Sequence, residues 1–571
     1  MFFTLCVVLA VSAVRADDVR IDWKVAVDEK LQKDIPEIVS AHRNELKKSG
    51  ISLQPDRQTK EEKELIEKKL RSEGYYAPGV KAIAESKGGG YAVDPGRRFK
   101  LGAVKIKAQE NVKLPPPADI GLEEGAPMRA EEVLKALSMV AEYVDAHNCL
   151  YNVRVEYEAT INSDNASAGV TFIVKESPEA VFGNVSVEGL RTVHGDFALH
   201  KLGLKQGACF KRTAIAKARQ RLQGTNLFSR VAADIGELED GKADVVFNAT
   251  ERSHRTIKAG VNYDSQNGPG VTAGWEHRNI FGEGQKLETG LKVSTIESSL
   301  SAGLTFPSFL SDRQSLVLTG KLSHEETDAF DSDFVDLKAA LQRKFGDHLT
   351  GSFGTQYKVG SIKDADGKED VGLLSLPVGV SYDRRDNVLD PLKGFVLGGE
   401  VRPSFDTFDA GTTFVRTMAS ASGYYTPEAT GKGLTLAARL AAGVITGVGT
   451  ATVPADERFY AGGGNSVRGY GFQQLGPVTA GIPDGGRSYL ETSVESRFRL
   501  GESWGGALFV DGGNVYDDDF AALGKDLRWS AGAGVRYYTG FAPVRFDVAV
   551  PLNKRRGDDA FQIYVSLGQA F

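Results

Sequence analysis

The sequence predicts N-terminal α+β modules followed by an antiparallel transmembrane β-barrel of about 16 strands. Three observations support this. The chain begins with a short apolar run, residues up to 254 alternate helical and strand-like segments, and residues from 255 onward form a series of short alternating segments. Glycine is abundant, at 65 of 571 residues, against roughly 7% in average proteins. It follows no G-X-Y period, which excludes a collagen-like chain.

The charge balance and the cysteine count exclude several classes of protein. The formal net charge is −6 and no long basic tract occurs, which argues against a nucleic-acid partner. Three cysteines are too few for a disulfide scaffold or a four-thiolate zinc site. Cys6 lies in the first apolar run. We expect Cys149 and Cys209 to be buried thiols, with a bridge between them as the alternative.

The first residues have the pattern of an export signal. Met1–Val14 is apolar but too short for a membrane-spanning helix of about 20 residues. Small residues around Ala16 then precede Asp17 and Asp18. Residues 1–16 are therefore predicted to be a secretory signal peptide, with a buried N-terminal strand as the alternative.

Three stretches of the region up to 254 share one order of elements, in which amphipathic helices precede alternating strands. They cover residues 17–97, 98–178 and 179–254. In the first, helices are predicted at Ala41–Ser49 and Lys60–Glu73. In the second, Val133, Val140 and Val144 lie on one stripe with a 3.6-residue period. In the third, a helix is predicted near Thr213–Gln223.

Residues 255–571 contain segments that alternate every second residue. In Val544–Val550, for example, apolar side chains alternate with Arg545 and Asp547. Such a strand has two different environments, and in lipid only a closed barrel satisfies all the backbone hydrogen bonds. A soluble sandwich or propeller is the alternative, but no repeat of about 40–45 residues is evident. The predicted strands begin near Ile257, Gly268, Gln285, Leu300, Gln314, Phe334, Leu349, Val371, Phe395, Thr413, Gly433, Arg487, Gly505, Leu527, Ala542 and Ala560.

One long connection, residues 447–485, carries the most specific motif. Its centre, Phe459 to Tyr470, is F-Y-A-G-G-G-N-S-V-R-G-Y, and Phe509 begins F-V-D-G-G in a later strand. The first motif resembles the VRGY-containing sixth extracellular loop of the BamA/TamA superfamily, and the second is similar to the motif of its barrel wall. The last strand, which alternates and has a final Phe571, looks like the C-terminal signal of bacterial outer-membrane proteins.

The resemblance implies three POTRA modules (17–97, 98–178 and 179–254), a barrel (255–571) in the bacterial outer membrane and periplasmic modules. It also implies that the loop 447–485 folds inward. There the guanidinium of Arg468 offers a fork of donors suited to a carboxylate, and Asp511 is the expected partner. No catalytic, metal or cofactor site is predicted. The expected site residues are the loop anchor Val467, Arg468, Gly469 and Tyr470; the lumenal partners Asp511, Glu491 and Glu495; the wall motif Phe509, Gly512 and Gly513; and the C-terminal signal and seam Phe561, Ile563, Val565, Leu567, Gly568 and Phe571.

The superfamily inserts or translocates β-rich proteins at the outer membrane. Three modules on a sixteen-strand barrel resemble its TamA branch, which assembles autotransporters with an inner-membrane-anchored partner, TamB. Five modules would indicate the BamA branch and two a secretion partner of the FhaC kind. The expected partners are thus a TamB-like protein, unfolded β-rich clients and outer-membrane lipid. A passive porin is the alternative from another class.

Overall fold

The computed structural model describes residues 19–571 apart from 52, 85–89, 265–267, 409–411, 431–432, 520–523 and 541–542. The predicted signal peptide therefore lies outside the described residues. The chain divides into two compact units. One holds residues up to 189 together with 198–224 and 230–250; the other holds 190–197, 225–229 and 251–571.

Three small sheets with one strand order occupy the described part of the N-terminal region. In each sheet the first strand pairs in parallel with the third, which lies in the middle. The strands are β1 (Ile21–Trp23), β2 (Gly79–Ala82) and β3 (Tyr91–Asp94); β4 (Lys100–Lys107), β5 (Val155–Asn162) and β6 (Ser167–Val174); and β7 (Val181–Glu188), β8 (Phe228–Glu239) and β9 (Lys242–Glu251).

Helices pack apolar stripes against these sheets, as the sequence period predicts. In the helix that follows β4, Val133, Val140 and Val144 are buried together with Phe172 of β6. The helices are α1 (Glu29–Lys48), α2 (Pro55–Ser72), α3 (Ala130–His147), α4 (Gly195–Leu202) and α5 (Arg212–Gln223). None of these helices in the described residues is long and apolar enough to cross a membrane.

A disulfide joins Cys149, which follows α3, to Cys209, which precedes α5. Their Cα atoms lie 5.0 Å apart, so the expectation of two buried thiols is wrong. The junction around them explains the pairing. The Asp145 carboxylate accepts hydrogen bonds from the backbone N–H groups of Arg212 and Thr213 at the start of α5, each at 2.9 Å. This contact brings the two cysteine-bearing segments together, and sequence spacing alone does not reveal it.

The described residues from 255 onward form one large antiparallel sheet with sixteen wall positions, which confirms the predicted barrel. The sheet has 17 strands, but β17 and β18 both lie between β16 and β19 and form one interrupted wall strand. Its strands are β10 (Arg255–Asp264), β11 (Gly268–His277), β12 (Lys286–Ser294), β13 (Glu297–Phe306), β14 (Gln314–Glu326), β15 (Asp331–Phe345), β16 (Leu349–Asp364), β17 (Gly367–Ser375), β18 (Val378–Asp383), β19 (Gly394–Asp406), β20 (Thr413–Tyr425), β21 (Leu434–Thr446), β24 (Ser488–Leu500), β25 (Trp504–Tyr516), β26 (Arg528–Tyr538), β27 (Pro543–Pro551) and β28 (Gln562–Leu567). The short strands β22 (Val478–Thr479) and β23 (Ile482–Pro483) form a separate two-stranded sheet.

The two faces of the wall differ as the alternation predicts. In β27, Val544 and Phe546 are exposed on the outer face, whereas Arg545 and Asp547 are buried on the inner face. Apolar side chains outside and ionic side chains inside are typical of a strand between lipid and a polar lumen.

The barrel has a seam between its first and last strands. β10 and β28 end the strand order, and some of their Cα atoms lie within 8 Å of each other. In the described part of the chain, each has one hydrogen-bonded strand neighbour, β11 and β27 respectively, and no ladder joins the two. The edges of both strands are therefore available for pairing.

Candidate functional site

The loop between β21 and β24 lies against the inner face of the barrel. Its apolar side chains Phe459, Val467 and Tyr470 are buried in one cluster with Ile362 and Phe414 of the wall. Two turns of 3-10 helix, Thr450–Thr452 and Ala455–Glu457, begin the loop. A hydrophobic core inside the barrel thus fixes a connection that is otherwise rich in glycine.

Arg468 is fully buried beside three carboxylates. Its Nε donates to Oδ2 of Asp511 at 2.7 Å, and its Nη2 donates to Oδ1 at 2.9 Å. Nη1 donates to Glu495 at 2.9 Å and to Asp547 at 3.2 Å. Arg468 is 1% exposed and the Asp511 and Glu495 residues are both at 0%. A two-pronged pair of this kind fixes the orientation of both groups as well as their distance.

The predicted wall motif forms the surface below this guanidinium. The Arg468 Cζ atom lies 3.3 Å from the centroid of the Phe509 ring, so the cation also faces an aromatic surface. A Cβ atom at Gly513 would lie 2.8 Å from Val467. A Cβ atom at Gly512 would lie 2.6 Å from the ring of Trp529. Glycine is therefore needed at both positions for this close packing.

Gly469 and Tyr470 complete the loop anchor. Gly469 has φ +97°, a conformation that side chains disfavour, and a Cβ atom there would lie 2.9 Å from Ser530. The Tyr470 hydroxyl donates to Asn553 Oδ1 at 2.9 Å or to the Trp529 carbonyl at 3.0 Å. The four anchor residues thus contact the wall in different ways: Val467 by packing, Arg468 by charge, Gly469 by close approach and Tyr470 by its hydroxyl.

The expected partner Glu491 lies in the same lumen but binds other groups. Its carboxylate pairs with Arg439 at 3.2 Å and accepts a hydrogen bond from Ser466. It therefore holds the loop at Ser466, two residues before Arg468.

Three members of the ionic cluster, Asp547, Arg497 and Arg536, were not among the predicted site residues. Arg497 pairs with Glu495 at 2.8 Å, and Arg536 pairs with both Glu495 and Asp547. Opposite charges thus offset one another in a buried site, where an unpaired charge is costly. The alternation of β27 did place Asp547 on the inner face, but no local pattern identified its partner.

A second ionic cluster holds the beginning of the loop. Lys358 of β16 forms ion pairs with both Asp456 and Glu457, and its distance to the Glu457 carboxylate is 3.0 Å. Glu457 also pairs with Arg402 of β19. Because Arg468 contacts β24, β25 and β27, the loop is bound to two different parts of the wall. It spans the lumen between them.

The predicted C-terminal residues divide into two groups. Phe561, Ile563 and Leu567 are exposed on the outer face, and Val565 on the same alternation is half-buried. The strand ends at Leu567, and Gly568 (φ +90°) follows. Phe571 forms the second group: its ring lies 6.3 Å from that of Tyr424 and 5.3 Å from the Arg497 Cζ atom.

Comparisons with known proteins match both parts of the chain. The model of the Omp85 superfamily domain matches residues 279–571, and the POTRA model, described as a surface antigen variable number repeat, matches residues 180–252.

Several curated proteins are similar in sequence. Outer membrane protein assembly factor BamA of Nitratidesulfovibrio vulgaris is 24% identical over 70% of this chain and 53% of its own length. The BamA of Neisseria meningitidis serogroup B is 21% identical over 84% of this chain and 68% of its own length. The sorting and assembly machinery component 50 homolog B of Xenopus laevis is 24% identical over 67% of this chain and 89% of its own. The chain thus spans about half the length of the first relative.

The fold is also found in a solved structure. BamA from Haemophilus ducreyi lacking POTRA domains 1-3 superposes with a TM-score of 0.71 at 16% identity, covering 82% of this chain and 100% of that one.

Proposed function

Because this chain belongs to the Omp85 superfamily, we propose that it assembles β-rich client proteins into the outer membrane by opening the seam between β10 and β28. The chain is an outer-membrane β-barrel protein whose POTRA region is periplasmic. The proposal rests on one observation above the others, the absence of a ladder between β10 and β28 in the described residues.

An unpaired strand edge is a template for another strand. The backbone N–H and C=O groups at the edges of β10 and β28 would add an incoming client strand by β-augmentation. A closed ladder at the same position would first have to lose several hydrogen bonds. The open seam therefore supports client insertion from the barrel wall into lipid.

The loop supports this mechanism by bracing the barrel. It binds the wall through Arg468 on one side and through Glu457 on the other. These contacts would hold the barrel in shape while the seam widens. We assign the four-residue anchor, its lumenal partners and the wall motif to this role.

We further propose that the chain acts as a TamA-type factor for autotransporters, with a TamB-like inner-membrane-anchored protein as its partner. The support is the common strand order of the three N-terminal sheets, from which we extend the POTRA assignment to residues 17–97 and 98–178. The outer strands of these sheets would receive the client or the partner by β-augmentation.

A covalent lock across the seam tests the insertion mechanism. One cysteine is introduced within Arg255–Val261 of β10 and a second one in β28, at the two positions whose Cα atoms lie closest to each other. The two thiols are then joined with a non-reducible bismaleimide. Insertion of a client into liposomes containing the locked protein should stop. The matched controls are the two single-cysteine variants treated with the same reagent, which should retain the wild-type rate. Normal insertion by the locked protein would exclude seam opening.

Depletion of the protein tests its client class. We expect quantification of the outer-membrane proteome to show loss of autotransporters in particular. A uniform loss of outer-membrane barrels would instead indicate a general assembly factor, the role named for the BamA relatives.

A further inference from the structure

Tyr564 is an inward-facing side chain of the last strand, and it touches the loop anchor. Its hydroxyl accepts a hydrogen bond from the Gly469 N–H at 2.9 Å and donates one to the Tyr470 carbonyl at 3.1 Å. The residue is 3% exposed. A single phenol group thus satisfies two backbone groups of the loop, immediately after Arg468.

The ring of Tyr564 makes a second contact with the loop. A Cβ atom at Gly464 would lie 2.8 Å from the Cδ1 atom of this ring, so the glycine allows the backbone to approach. The ring also shares a buried cluster with Phe509 and Ala549. Because Phe509 lies under the Arg468 guanidinium, Tyr564 packs against the same anchor from the side of the seam.

The position of Tyr564 gives these contacts a particular consequence. Its strand, β28, has one strand neighbour in the described residues, so the ladder holds it on one side. The contacts with the loop hold it from the lumen. A movement of β28 away from the barrel axis must therefore break the two hydrogen bonds of Tyr564 or carry the loop with it.

We propose that Tyr564 is a positioning residue that latches the last barrel strand to the inward loop, so that the seam opens when its two hydrogen bonds to the loop break. This rests on the proposed function, because it assigns a residue to the control of seam opening.

The test measures the width of the seam without any client. Spin labels are attached at Ile257→Cys in β10 and Ile563→Cys in β28, two side chains that are 82% and 42% exposed on the outer face. Distances between the labels are then recorded by electron–electron double resonance in lipid nanodiscs. Tyr564→Phe keeps the ring and removes both hydrogen bonds. We expect it to raise the ratio of wide to narrow seams about tenfold, which corresponds to about 1.4 kcal/mol.

The matched control is Tyr516→Phe. The Tyr516 hydroxyl also donates to a backbone carbonyl, that of Lys525 at 2.7 Å, but this contact joins β25 to its own hairpin. The control should leave the distance distribution of the seam unchanged. If both variants lower the thermal midpoint equally and neither widens the seam, Tyr564 has a merely structural role and the proposal is overturned.

A measurement on the unmodified protein covers the case in which Tyr564→Phe does not fold. Hydrogen exchange of residues 464–470 and of β28 should proceed at one common rate, because the latch couples the two segments. Two independent rates would contradict the latch. If the latch is supported but client insertion proceeds through a locked seam, then the proposed function fails while the assignment of Tyr564 stands.

Discussion

Arg468 and Asp511 form a two-pronged ion pair inside the barrel, with the Nε–Oδ2 and Nη2–Oδ1 distances at 2.7 and 2.9 Å. The backbone N–H of Arg468 also donates to Asp511 at 3.2 Å. One carboxylate therefore fixes both the side chain and the main chain of the loop. Since both residues are shielded from water, this pair is stronger than an exposed ion pair would be.

Replacing Arg468 with Ala should lower assembly activity while leaving a membrane-inserted barrel. The variant leaves Asp511 without its buried counter-charge, and breaking such a pair costs about 3–5 kcal/mol. The ladders that form the wall are unchanged, so the barrel should still insert. The measurement is the rate of client insertion into liposomes, with heat-modifiable migration on gels as the check of folding.

Two variants distinguish charge from shape at this position. Arg468→Lys keeps a positive charge but loses the fork, and we expect a rate between those of wild type and Arg468→Ala. Asp511→Asn keeps the size of the side chain and removes its charge, and it should lower the rate as well. Wild-type insertion by Arg468→Ala would rule out a bracing role for the loop.

Replacing Glu457 with Gln should loosen the beginning of the loop. The change removes the negative charge between Lys358 and Arg402, so that the buried Lys358 and the half-buried Arg402 each lose one anionic partner. We expect faster cleavage within residues 447–460 by an external protease, measured on intact vesicles by mass spectrometry. Glu428→Gln, at an exposed position in the turn Glu428–Thr430, is the control. Equal cleavage in the two variants would mean that the second cluster does not hold the loop.

The alternation of the barrel strands was predictable because each strand separates lipid from a polar lumen. Fifteen of the sixteen predicted starts lie within four residues of the first residue of an observed strand, and Gly268, Gln314, Leu349 and Thr413 coincide with it. The remaining predicted start, Ala542, lies outside the described residues. The break at Pro377 between β17 and β18 was not predicted. Proline cannot donate to a ladder, but sequence alone does not show whether a strand resumes after it.

Contacts between distant segments were the part that the sequence did not reveal. Tyr564 bonds the loop across 94 to 95 residues, and Cys149 meets Cys209 across 60. Neither pair shares a strand or a helix face, so no period connects its members. The start of α1 was also missed, because Pro36 lies inside the helix, where local preference disfavours it.

Removal of the disulfide should destabilise the N-terminal unit. The Cys149–Cys209 bond closes a loop with a sequence separation of 60 residues, and bonds of this kind contribute about 2–4 kcal/mol. We expect the double variant Cys149→Ser and Cys209→Ser to show a lower thermal midpoint for this unit by calorimetry. A reductant should lower the midpoint of the wild-type protein to the same value and leave the double variant unchanged. A midpoint that does not respond in either experiment would exclude a stabilising role.

The carboxylate of Glu251, at the end of β9, should make stability depend on pH in the acidic range. It accepts hydrogen bonds from the backbone N–H groups of Arg191, Thr192 and Val193 at 2.7, 2.9 and 2.9 Å. Burial favours the neutral acid and raises the pKa, but these donors outweigh burial and hold the pKa of Glu251 at about 2. In an unfolded chain the pKa of a glutamate is about 4.3.

The sign of this effect follows from the lowered pKa. Because the folded state favours the carboxylate, its contribution is fully present above about pH 4.3 and is lost as the pH falls toward 2. Glu251→Gln removes this titration but keeps a side chain that can accept hydrogen bonds. The thermal midpoint of the wild-type protein should therefore fall more steeply than that of the variant between pH 5 and pH 3. Parallel curves for the two proteins would show that the hydrogen bonds to residues 191–193 do not depend on the charge of Glu251.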